Sequence, residues 1–126
     1  MSTNTQIIID ALQEAGILAA AESPSAEDTS LALRRLNQML EMWSEDGLKL
    51  GYFAQSNASD TCPIPAWSER AVSLTLAVNL CTAFQVPVTA ELASLANDAY
   101  TSLLRRVMNL ALEAADMSHL PSGAGH

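Results

Sequence analysis

An all-α fold of about four helices, with an extended arm between the second and third, is what the 126-residue sequence predicts. Three observations carry that expectation. Hydrophobic residues make up 49% of the chain but aromatic residues only 5%, and alanine and leucine dominate, which favours helices over a β-sandwich. Apolar residues recur at steps of three and four in four separate runs, the spacing of one helix face. Glycine or proline separates these runs, at Gly16, Pro24, Gly47, Pro63 with Pro65, and Pro87. The length suits one domain with a core that needs no staples.

Thr3 or Asn4 can cap a first helix that reaches about Ala15, with Ile7, Ile8, Ala11, Leu12 and Ala15 on its apolar face. Gly16 ends it. Ile17 to Ser23 forms a connector in which Ala19, Ala20 and Ala21 are candidates for continued helix. Ser25, three residues before Asp28, predicts the cap of a second helix in a capping-box pattern with Asp in place of Glu. Glu27 and Asp28 favour the positive end of its dipole. This helix runs to about Asp46, roughly 30 Å at about 1.5 Å per residue. Leu33, Leu36, Leu40 and Trp43 share its inner face, and Met39 widens that face.

Gly47 stops the second helix, because glycine takes a left-handed terminal conformation without penalty. The period then changes to two. Leu48, Leu50 and Tyr52 alternate with Lys49, Gly51 and Phe53, the pattern of a short extended arm. A polar loop, Gln55 to Asp60, follows. An unpaired extended segment seeks an edge, so Leu48–Ala58 is expected to pair with a neighbouring subunit or a tail protein. The alternative is a local hairpin, with Leu48–Phe53 returning along Asn57–Ile64.

Cys62-Pro63-Ile64-Pro65 predicts an extended lead-in, since two prolines forbid helix. A third helix follows from Ala66 or Trp67 to Phe84. Val72, Leu76, Leu80 and Phe84 form one stripe; Leu74, Val78 and Cys81 form a second. A helix apolar nearly all round is central or buried at an interface. Gln85 to Val88 is a turn, and Thr89 can cap a fourth helix carrying Leu92, Ala96, Ala99, Leu103, Val107 and Leu110 through about Ala115. Pro121 and Ser122-Gly123-Ala124-Gly125 predict a flexible tail. The expected division is residues 1–117 as the helical unit and 118–126 as the tail.

Two stretches carry a resemblance to the head-to-tail connector proteins of tailed bacteriophages, also called adaptor or packaged-DNA stabilisation proteins. The first is the Leu/Met-rich helix ending in Trp43, then Glu45-Asp46-Gly47-Leu48 and Gly51-Tyr52-Phe53. The second is the proline lead-in Pro63–Pro65, Asn79-Leu80 in the third helix, Pro87 in the turn, and the alanine-rich run from Leu92 to Ala99. The resemblance spans roughly Leu31 to Arg106. It departs in the turn: the connectors often end the third helix with proline and place an aromatic soon after, whereas here Phe84 precedes Pro87.

The resemblance implies a structural virion protein at the head–tail junction, made in the host cytoplasm. Its copies would form a closed, dodecameric ring beneath the portal protein. That ring would extend the DNA channel, offer a platform to a tail or nozzle protein, and help retain the packaged genome. Because the resembling residues are structural, they point to no catalytic site.

Charge agrees with a conduit. Six basic against fourteen acidic residues gives a net charge of −8. A free nucleic-acid binder usually has the opposite sign. Acidity works against tight binding to DNA or an anionic membrane, so packaged double-stranded DNA would pass without specific binding. Nothing in the chain reaches the length of a membrane span, and the N-terminus lacks a signal-peptide pattern.

Catalysis finds little support. His119 and His126, the only histidines, fall at the end of the chain without a placed nucleophile. Glu45 and Asp46 are adjacent helix residues pointing about 100° apart, so they do not face one substrate. Cys62 and Cys81 lack metal spacing and read as free thiols in a reducing compartment. The expectation is a non-enzyme without cofactor or metal. The rival reading is a helix-turn-helix-like DNA-binding regulator built on the Gln85–Val88 turn. Its recognition helix would open with Ala90, Glu91, Leu92 and Ala93, none of which reads bases as Arg, Lys, Asn or Gln does.

Three groups of residues are candidates for contacts. Glu41, Glu45 and Asp46 place like charges at the negative end of the second helix, as a solvated face or as a subunit contact. Arg105 and Arg106 would form the opposing patch, although pairing with acids of the same chain is the simpler expectation for them and for Arg34 and Arg35. Tyr52 and Phe53 on the arm are candidates for a subunit or tail interface. The resembling connectors reach the portal with their C-terminal region. That makes Met117, His119 and Leu120 the portal-binding candidates, unless the tail has no role.

Overall fold

The computed structural model describes residues 1–119, with side chains through residue 115. The chain forms α1 (Asn4–Glu14), α2 (Ala26–Glu45), a 3₁₀ turn (Ala66–Ser68) that runs straight into α3 (Glu69–Ala83), and α4 (Ala90–His119). The fold is all-α with four helices, as the periodicity predicts. Among the described residues there is no strand, only an antiparallel bridge between Thr3 and Thr61.

Thr3 caps α1 in a full capping box. Its hydroxyl accepts from Gln6 N at 3.2 Å while Gln6 Oε1 accepts from Thr3 N at 2.9 Å. Ile7, Ile8, Ala11 and Leu12 are buried as expected. Gly16, at φ +76°, turns the chain left-handed, and Ile17 N donates to Leu12 O at 3.0 Å. This closure ends the helix completely. Ala19 to Ala21 are not helical; Ala19 N instead donates to Glu22 Oε1 at 2.7 Å.

α2 starts at Ser25, whose hydroxyl accepts from Asp28 N at 3.1 Å. Its buried face is Ala32, Leu36, Met39, Leu40 and Trp43. Fully buried Ala32 takes the place expected for Leu33, which packs at the rim. Gly47, at φ +95°, closes the far end, with Leu48 N donating to Trp43 O at 2.8 Å.

The arm is not free. Leu48 and Leu50 turn into the core, as do Cys62 and Ile64 on the way back. The return runs beside the N-terminus rather than beside the arm. Cys62 N donates to Ser2 O, Asn4 N to Asp60 O and Thr5 N to Ala58 O, all at 2.9 Å. The hairpin expectation is therefore corrected, because the return segment takes its backbone partners from Ser2, Asn4 and Thr5.

α3 is the central helix, packed most closely on α1 and α4 and more lightly on α2. Val72, Leu74, Leu76, Ala77, Leu80 and Cys81 are buried, while Val78 and Phe84 sit half-buried. At its end Val86 N donates to Cys81 O at 2.8 Å, and the residue that turns left-handed is Gln85, at φ +58°. The Thr89 hydroxyl then caps α4, accepting from Leu92 N at 3.1 Å.

α4 has 30 residues, twice the 15 of α3. At about 1.5 Å per residue it is about 45 Å long. Leu92, Ala96 and Leu103 are buried, but Leu110, expected on the same face, is 43% exposed because α4 there runs past the start of α3. The helix continues past Ala115 to His119, since no breaker precedes Pro121. Ser118 and His119, expected in the tail, thus extend α4. Residues 120–126 lie outside the described residues.

Candidate functional site

The arm is held by a hub of polar side chains, Asn4 and Gln55 buried and Asn37 and Tyr52 half-buried. Asn37 Oδ1 accepts from Gln55 N at 2.8 Å and from the Tyr52 hydroxyl, while Asn37 Nδ2 donates to Gln55 O at 2.8 Å. Gln55 Nε2 donates to Phe53 O at 2.9 Å, and its Oε1 accepts from Asn4 Nδ2 at 3.0 Å. Asn4 Nδ2 also reaches Asn57 O at 3.1 Å. Tyr52 is thereby half-buried and tied to α2. Burial, and then the charges of Cys62 and Glu41, push its hydroxyl well above the usual tyrosine range, against the Gln55 backbone bond. Phe53 alone of the pair faces out, at 67% exposure.

Glu41, Glu45 and Asp46 are all exposed at the end of α2. Between them Trp43 turns inward and meets Tyr100, ring centroids 5.1 Å apart and tilted by 50°, which ties α2 to α4. Beside this end, α2 and α3 leave a groove of about 580 Å³, lined among others by Arg35, Met39, Met42, Thr75 and Asn79. Met42 is 63% exposed at its edge. Arg35 Nε and Thr75 Oγ1 are enclosed there without a hydrogen-bond partner among the described residues. The sequence reading missed this groove. Its signal was Met42, a large apolar residue outside the expected α2 stripe.

Arg105 and Arg106 are exposed on α4. The Arg106 guanidinium lies over the Trp67 ring, 5.1 Å from its centroid. Its partner within the chain is thus an aromatic face and not a carboxylate. Among the described residues the ion pair is Arg70 with Glu14, at 2.7 Å and largely exposed. Glu69 accepts instead from Ser2, at 3.2 Å from its N and 2.6 Å from its hydroxyl. Beyond Arg106, Met108 and Leu112 are each 62% exposed on the projecting part of α4.

Met117 and His119 fall on the last part of α4, in backbone alone, and Leu120 lies outside the described residues. Both thiols are buried. Burial, then the charge of Glu69, pushes Cys62 up to about 11, and burial raises Cys81. Each is held as the unreactive thiol at neutral pH. Among the described residues no group of His, Cys, Asp and Glu could hold a metal ion, and no helix is long and apolar enough to cross a membrane.

A family model described as P22 tail accessory factor matches residues 1–126, the whole chain. No curated protein matches it.

Proposed function

The chain belongs to the P22 tail accessory factor family of phage tail-associated proteins, and from that premise we propose that it is a ring-forming component of the head-to-tail junction. Copies join beneath the portal protein into a closed, dodecameric ring. The ring extends the DNA channel, receives a tail or nozzle protein, and helps retain the packaged genome. It acts by assembly, without catalysis or a cofactor, and double-stranded DNA slides past acidic walls that do not grip it.

The observation that carries this reading is the far half of α4. It outruns α3 and holds Met108 and Leu112 in solvent, apolar surface that an isolated subunit leaves uncovered. A patch of that kind on one side of a subunit, meeting a different patch on the next, generates a ring when the rotation closes. The net charge of −8 supports a conduit over a DNA-reading regulator. Electron microscopy of the chain mixed with portal protein tests it: closed rings on portals are expected. A monomer that binds a specific DNA site would favour the regulator.

A further inference from the structure

Two surfaces of this chain lack a partner and match one another. The first is the outer face of the projecting α4. Met108 and Leu112 are four residues apart, so they lie on one stripe, with Glu113 at its flank. Met108 and Leu112 are exposed, and Glu113 makes no ion pair among the described residues. The second is the groove between α2 and α3, apolar along Met39 and Met42. There Arg35 keeps its Nε enclosed without an acceptor among the described residues.

The two surfaces are separate patches of one chain. Trp67, just before α3, touches Arg106, and Gln85–Thr89 joins the other ends, so α3 and α4 run antiparallel. The projecting end of α4 therefore leaves beyond the start of α3. The groove runs along α3 from Thr75, in its middle, to Ala83, its last residue. No residue lines both surfaces, so they are two different patches of one chain, the arrangement a head-to-tail contact needs.

We propose that the groove between α2 and α3 receives the end of α4 from a second copy of this chain. Met108 and Leu112 of that copy pack on Met39 and Met42, and its Glu113 takes the unpaired Arg35. Apolar burial supplies the driving force. The carboxylate supplies register, because an enclosed guanidinium N–H without an acceptor penalises any other seating. This rests on the ring reading and names the surfaces that close it.

The test uses the full chain assembled on portal protein. In the M42C/L112C double variant, oxidation should give a ladder of covalent multimers, since native Cys62 and Cys81 are buried. M42C or L112C alone should give no ladder. L112D and R35E should each weaken assembly at least tenfold with monomer helicity unchanged, and E113R should restore R35E. Rings that form without a ladder, and form equally with L112D, overturn the groove seating and leave the ring standing. A wild-type chain that makes no ring with portal overturns the ring reading itself, and the groove seating with it.

Discussion

Asn37 makes both hydrogen bonds of the Gln55 backbone, Nδ2 to its carbonyl and Oδ1 from its N–H, each at 2.8 Å. A side-chain amide on α2 thus does for the arm what a neighbouring strand would do. The Tyr52 hydroxyl shares the same oxygen. Removing the amide leaves the donor and acceptor of the buried Gln55 unpaired, each costing about 1–3 kcal/mol. Asn37→Ala is therefore expected to lower stability by about 2–3 kcal/mol. Urea unfolding measures that loss, and hydrogen exchange should show the Gln55 amide protected in the wild-type monomer and unprotected in the variant.

Gln85 sits at φ +58°, where a β-carbon is strained, in a turn that closes α3. Its side chain is exposed and makes no hydrogen bond among the described residues. Gln85→Gly should stabilise the chain by about 0.5–1 kcal/mol, and Gln85→Val, β-branched, should destabilise it by at least as much. Thermal unfolding of the two variants separates them by sign.

The Arg106–Trp67 stack joins α4 to the turn before α3. At this exposure such a contact contributes about 0.5–1 kcal/mol. Arg106→Ala should cost that much stability. It should also shift Trp67 fluorescence to the red when Trp43 is replaced by Phe, leaving Trp67 as the sole tryptophan. For the same reason, charge reversal at Arg106 weakens the subunit itself.

Alkaline pH should unfold the protein earlier than its acidic composition implies. Cys62 is held protonated, moved from an ordinary 9.0 up to about 11, and Tyr52 is raised above 10.0. For both groups the folded state binds the proton more tightly than the unfolded chain. The Cys62 contribution is complete below about pH 9 and is lost as pH climbs through 11, while that of Tyr52 is complete below about pH 10 and is lost at still higher pH. The melting temperature should stay level from neutral pH to about 9 and then fall. Cys62→Ala should flatten part of that fall.

Local chemistry made much of this fold legible. Thr3, Ser25 and Thr89 cap their helices and Gly16 and Gly47 end theirs, because each acts within one turn of chain. The α3 pattern, apolar nearly all round, marked the central helix. The polar hub was half-legible. Asn37 stands four residues after Leu33 and three before Leu40, a polar residue on an apolar stripe, and Asn4 stands likewise before Ile8 and Ala11. Its partner Gln55 is 18 residues from Asn37, and no local rule reaches that far. Period two in Leu48–Tyr52 correctly marked two buried residues, Leu48 and Leu50, but could not tell whose core they enter. At Gln85 the turn takes a left-handed residue without glycine, so composition held no sign of it.

The ring is the central claim, and the mass of the particle tests it most directly. The full chain, mixed with portal protein at saturating concentration, should give one closed ring per portal, dodecameric by count of mass. Subunits that remain monomeric beside bare portals under those conditions would contradict the account.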